Sequence, residues 1–113
     1  MHFVLPDGYS GIIKIVKDSK SGMDIQEQTN TFTYVIPASG QIYVTSLEPF
    51  SMWHKETANF KNGEVLKTDT DDNLPDGALA LRFMLTGTTN TVTTERYFVG
   101  TEKELEKTGQ SEK

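Results

Sequence analysis

The chain has 113 residues, the size of one ordinary domain, and its 35% hydrophobic and 10% aromatic content suffices for a single modest core. Eleven basic and 16 acidic residues leave a net charge of -5, which repels phosphate backbones and argues against a nucleic-acid partner. With no cysteine, disulfides, thiolate metal sites and a cysteine nucleophile are excluded, and no run approaches the roughly 20 apolar residues of a membrane span.

Alternation with a period of two dominates the pattern, so strands are predicted nearly throughout. Phe3 to Leu5 opens a short strand that Pro6 stops, and Asp7-Gly8-Tyr9-Ser10-Gly11 supplies a turn. Ile12 to Lys17 is rich in β-branched residues, with Ile13 and Ile15 on one face of a second strand. Asp18 to Gly22 reads as a loop, and the polar stretch Gln26 to Asn30 as a connection or weak edge strand. Thr31 to Ile36 alternates cleanly, placing Phe32, Tyr34 and Ile36 together. After Pro37-Ala38-Ser39-Gly40 the run Gln41 to Thr45 resumes with Ile42 and Val44 on one face. Two such runs around a short Pro/Gly loop predict an antiparallel hairpin.

Glu48 to Phe60 fits neither period well, and a short helical turn is predicted near Ser51 to Lys55. Asn62-Gly63 is a tight-turn dipeptide that joins Ala58 to Phe60 with a strand from Glu64 to Lys67. An acidic loop from Thr68 to Gly77 leads into two long strands, Ala78 to Thr86 and Thr91 to Val99, paired across Gly87-Thr88-Thr89-Asn90. Thr101 followed by Glu104 has capping-box spacing and predicts a terminal helical turn ending near Lys107. Short strands without helical crossovers point to an all-β domain over residues 1–107, an antiparallel β-sandwich of transthyretin-like or immunoglobulin-like layout, with 108–113 as a frayed tail.

Candidate chemistry is sparse. Trp53, His54 and Glu56 form one group: the imidazole is a possible general base oriented by the carboxylate, and the indole a platform for stacking on a sugar. The competing reading puts Trp53 in the core and His54 on the surface. Asp69, Asp71 and Asn73 match the first three alternate ligands of an EF-hand loop, but Leu74 stands at the sharp-turn glycine and Ala80 at the bidentate glutamate. Gly8-Tyr9-Ser10-Gly11 fails as a nucleophile elbow, because no residue separates the serine from the second glycine and a strand follows. Thr86, Thr88, Thr89, Thr91, Thr93 and Thr94 read as solvent-facing strand positions, and Glu102 to Lys107 as a solvated helical face. No cofactor motif is present.

Three phrases carry a family resemblance: Phe3-Val4-Leu5-Pro6-Asp7-Gly8-Tyr9-Ser10-Gly11, Tyr34-Val35-Ile36-Pro37-Ala38-Ser39-Gly40, and Tyr97-Phe98-Val99-Gly100-Thr101. Together they resemble an uncharacterised family of bacterial β-domains, many exported or lipid-anchored. The resemblance implies an exported or envelope location and supplies no activity or site residues. The abrupt apolar start after Met1, as in a chain relieved of an export signal, points the same way, with a cytoplasmic location as the alternative.

The expected function is therefore a non-catalytic binding domain of a bacterial exported or envelope protein, with a protein or glycan as partner. The alternatives are a small hydrolase or lyase using His54 with Glu56, Asp69 or Asp71, and an intracellular immunity-type protein whose acidic surface masks a basic toxin. For the acidic loop, the failed glycine and glutamate positions predict a melting temperature indifferent to millimolar calcium and to chelator. A calcium-dependent rise in thermal denaturation would restore the ion-binding reading.

Overall fold

A computed structural model describes residues 1–25, 31–51, 55–71, 74–75 and 77–111, with side chains to residue 108. Eight strands follow in chain order: β1 His2–Leu5, β2 Gly11–Lys17, β3 Thr33–Val35, β4 Gln41–Val44, β5 Thr57–Phe60, β6 Val65–Thr68, β7 Ala80–Thr89 and β8 Val92–Gly100. A 3-10 turn, Glu48–Ser51, precedes β5, and α1, Glu102–Ser111, closes the described chain. The helical turn expected at Ser51 to Lys55 thus begins earlier, and residues 52–54 lie outside the described residues.

All eight strands belong to one sheet in the order β3-β1-β5-β6-β7-β8-β2-β4. The sheet is mixed: β1 runs parallel to both β3 and β5, β2 to β4, and β6 to β7, while β5·β6, β7·β8 and β2·β8 are antiparallel. This corrects the antiparallel sandwich to a curled, half-barrel sheet. The hairpins at Asn62-Gly63 and at the β7–β8 turn are present, the second turning on Asn90 and Thr91 at φ of 52° and 67°. That pair of left-handed residues matches the strand twist, so the arms run on to Thr89 and Val92. The expected hairpin of β3 with β4 does not form. A period of two tells which face of a strand is apolar but not which edge it pairs; here β1 and β2 reach their parallel partners by way of strands of the other half, and β6 reaches β7 through the loop 69–79, with no crossover helix among the described residues.

Curling follows from chain reach. β3 and β4 sit on opposite edges of the sheet, yet only Ile36 to Gly40 joins them, a link spanning at most about 20 Å. A flat sheet would hold those edges about 33 Å apart, at about 4.8 Å per strand. A second short link, Pro6 to Ser10, likewise carries the chain from β1 to β2. The same curl brings the Phe3 and Tyr97 rings to 5.1 Å although three strands separate β1 from β8.

The predicted alternation decides what lies inside the curl. Phe3, Leu5, Ile13, Ile15, Tyr34, Ile36, Val44, Leu81 and Val99 are fully buried, joined by Ile42, Ala58, Phe60, Leu66 and Tyr97, with Phe32 packed half-buried against them. On the outer face, Arg82 is buried beside the start of α1, its Nε donating to the Gly100 carbonyl at 3.1 Å and its Nη1 to Glu102 at 3.2 Å. α1 begins with the predicted capping box: the Thr101 amide donates to Glu104 Oε1 and the Glu104 amide to Thr101 Oγ1, at 3.0 and 3.3 Å. The helix then runs past Lys107 to Ser111, beyond the boundary set for the tail.

The two links cross at Gly40. Tyr9 donates to the Ile12 carbonyl at 2.5 Å, Gly40 accepts from the Lys14 amide at 2.8 Å, and Gly40 itself is left-handed at φ 75°. A methyl group there would meet the Tyr9 hydroxyl at 2.0 Å and the Ile12 carbonyl at 2.9 Å. Gly40→Ala is expected to lose about 3 kcal/mol, combining left-handed strain with overpacking. Gly63→Ala, also left-handed but with nothing within 4 Å of the added carbon, should lose only about 1 kcal/mol. Urea unfolding of both variants checks this, and equal losses would show that the crossing carries no special load.

Candidate functional site

A cleft of about 320 Å³ opens on the inner face where β5, β6, β7 and β8 meet. Its chemistry is carried by Glu56, just before β5, Asp69, just after β6, Thr86 on β7, and Glu95 and Tyr97 on β8. Phe50 and Phe83 are its aromatic walls. Among the described residues no lysine or arginine lines it, so three carboxylates share one concavity with only the chain's amino terminus at the rim.

Glu56 is fixed through its main chain before its side chain is aimed. Its amide donates to Thr70 Oγ1 at 3.1 Å, and its carbonyl lies 3.0 Å from Thr68 Oγ1 and 3.1 Å from Thr70 Oγ1. The two threonine hydroxyls are themselves 2.8 Å apart, so a β-turn after β6 clamps the strand entering β5. The carboxyl, 6% exposed, accepts from the Tyr97 hydroxyl at 2.7 Å and is hydrogen-bonded to Asp69. Burial pushes it up to about 7; Asp69's hydrogen bond and charge add to the rise, while the Tyr97 bond and the amino terminus hold it back. At neutral pH the Glu56–Asp69 pair therefore shares a proton in part. Asp69 is held in place by the Phe83 amide, which donates to its Oδ2 at 2.7 Å.

Tyr97 is raised far above the ordinary phenol range by burial and by the negative charges of Glu56, Glu95 and Asp69 around it. It stays a neutral hydrogen-bond donor at every physiological pH. Its ring meets Phe83 edge-on at 5.5 Å and lies 6.4 Å from Phe50. Glu95, 7% exposed, takes the Thr86 hydroxyl at 2.7 Å, and burial raises its carboxyl against the pull of that bond. The pairing depends on a bulge: register shifts between Phe83 and Leu85, turning Thr86 to the inner face where strict alternation would put Leu85.

The two candidate groups read from the sequence are thus divided and partly merged. Glu56 and Asp69, from different groups, meet in the cleft. Asp71 turns away, its Oδ2 accepting from the Thr68 amide at 2.8 Å, so it caps the turn. Trp53, His54 and Asn73 lie outside the described residues. Among the described residues no three His, Cys, Asp or Glu side chains are grouped to hold a metal ion. Thr86, read as a solvent-facing strand position, is exposed, and its hydroxyl also donates to Glu95. Glu95 and Tyr97 were missed, although the inward alternation Glu95, Tyr97, Val99 signals a charge at a core-facing position.

No family model matches the chain, and no curated protein matches it in sequence. Among solved structures, that of a candidate lipoprotein from Bacillus anthracis is similar, with a TM-score of 0.57 over 88% of this chain and 68% of that one, at 15% identity. At that identity the likeness is one of fold. It agrees with the mostly β curled sheet described above.

The shared proton makes a signed prediction. Glu56 binds its proton more tightly folded than unfolded, so the stability it contributes is complete below the ordinary carboxylate value of 4.5 and is lost as pH rises through about 7. Glu56→Gln keeps an acceptor for Tyr97 and a donor for Asp69 without a proton to lose. At about pH 8 the variant should exceed the parent by about 2 kcal/mol, and at about pH 5 the two should converge. A slope left in the variant comes from Glu95, raised in the same direction, and from the amino terminus, which burial lowers. Urea unfolding across this range is the measurement, and a parent that gains stability from pH 5 to 8 would exclude the buried shared proton.

Proposed function

We propose that the chain is a non-catalytic binding domain of a bacterial envelope or exported protein, and that the acidic, aromatic-walled cleft is its recognition surface. The observation that carries this reading is the concentration of Glu56, Asp69, Glu95 and Tyr97 in one concavity between two phenylalanine rings. A fold stabilised by burial alone would place apolar groups there, since each buried carboxylate costs solvation that no lysine or arginine among the described residues of the cleft offsets. The envelope location is supported by the fold of the B. anthracis lipoprotein and by the three phrases that resemble exported or lipid-anchored β-domains. A protein or a glycan fits the cleft, because both present polar groups beside surfaces that stack on aromatic rings.

One observation favours a second reading. Glu56 and Asp69 are two carboxyl groups whose environments hold a proton between them near neutrality, the arrangement a hydrolase or lyase uses for acid and base steps. In that reading turnover would vanish in both Glu56→Gln and Asp69→Asn.

The binding reading is checked by amide chemical-shift mapping with a panel of soluble glycans and short peptides of varied charge. Ligands should move the Phe83, Thr86, Glu95 and Tyr97 amides together and saturably. A panel whose members perturb only the apolar groove at Met23, Val35 and Tyr43 would remove the cleft from the account.

A further inference from the structure

Glu95 occupies a position that the fold has no packing reason to make acidic. It faces inward on β8, two residues from Tyr97 and four from Val99, both core residues. Its side chain is more than nine-tenths buried and lines the cleft. One carboxylate oxygen accepts from Thr86; the other has no donor among the described residues. That second oxygen is not sealed in the interior but opens to the cleft, where a ligand's donor can reach it. The bulge before Leu85 is what delivers Thr86 to hold this carboxylate in place.

The geometry also constrains the donor. The carboxylates do not come close enough for three of them to grip one metal ion. A compact ion therefore cannot satisfy Glu95 together with the Glu56–Asp69 pair. A guanidinium spreads its charge over a plane with five N–H donors, sheds water more easily than an ammonium, and stacks against aromatic faces. Phe50 and Phe83 supply such faces on the cleft walls.

Resting on the reading of the cleft as the binding surface, we infer that it takes a guanidinium group, as carried by an arginine side chain or a small arginine-like molecule, with Glu95 as one anchor and the Glu56–Asp69 pair as the other. In the empty cleft the proton shared by Glu56 and Asp69 supplies the positive charge. The guanidinium replaces it, so binding releases a proton and strengthens as pH rises.

The test is an amide-shift titration with L-argininamide, L-lysinamide and an acetylated Gly-Arg-Gly amide at constant ionic strength. Argininamide should saturably move Thr86, Glu95 and Tyr97, and bind about tenfold more tightly at about pH 8 than at about pH 5.5. Glu95→Gln, which still accepts the Thr86 hydroxyl, should weaken it by about tenfold or more while melting at or above the parent's temperature. Tighter binding of the peptide than of argininamide assigns the group to a polypeptide partner, and weaker binding assigns it to a free small molecule. Lysinamide acting as well as argininamide, or no saturation by about 20 mM, overturns the inference. If a glycan or neutral peptide still saturates the same amides in that case, the cleft remains the binding surface and only the guanidinium is lost.

Discussion

The fold depends on a constraint of length. Two links of five residues each tie strands from opposite halves of one eight-stranded sheet, and a sheet so tied must curl. The links are compatible only because Gly40, without a side chain, lets the Tyr9 ring and the β2 backbone close over it. Once the sheet curls, its inner face becomes a core: Phe3 reaches Tyr97 and stacks on Tyr34, and the aliphatic residues of β1, β2, β4 and β8 fill the space between. A flat sheet of the same strands would leave that face in water.

The same curl makes the cleft. Glu56 and Asp69 flank the β5–β6 hairpin, Glu95 and Tyr97 lie on β8, and β7 stands between. In a flat sheet β5 and β8 would be about 14 Å apart, three strand spacings. Curling brings the Tyr97 hydroxyl to 2.7 Å from Glu56 instead. The electrostatic character of the site is thus a by-product of closure: carboxyl groups harmless on a flat face are crowded, desolvated and forced to share a proton. Tyr97 is the pivot, because its ring belongs to the core and its hydroxyl to the cleft. Such amphipathic residues commonly sit where a packed interior meets a polar site.

This division explains why the polar groups are so unevenly treated. Thr68, Thr70 and Asp71 are spent on main-chain amides and carbonyls that hold the turn after β6, a structural task for residues that look in sequence like ion ligands. Arg82, buried on the opposite face, ties the start of α1 to β7 and β8 through the Gly100 carbonyl and Glu102. Among the described residues no lysine or arginine lines the cleft, so its acids have only the amino terminus at the rim as a counter-charge.

What the sequence by itself determined is local: the strands, their apolar faces, the turn at Asn62-Gly63, the existence though not the turn position of the last hairpin, and the Thr101–Glu104 cap. Each of these follows from backbone geometry over a few residues, so Ile13 with Ile15, Tyr34 with Ile36, and Ile42 with Val44 could be assigned to the core from spacing alone. Pairing between distant strands was not legible, because alternation marks a face and leaves both edges equivalent; hence the parallel partners of β1 and β2 and the curl itself came only with the tertiary structure. Half of the site shared that fate. Glu56 and Asp69 could be singled out as acids near turns, but their meeting, the inward turn of Thr86 and the burial of Glu95 depend on a bulge and a closure that bring together groups up to forty residues apart.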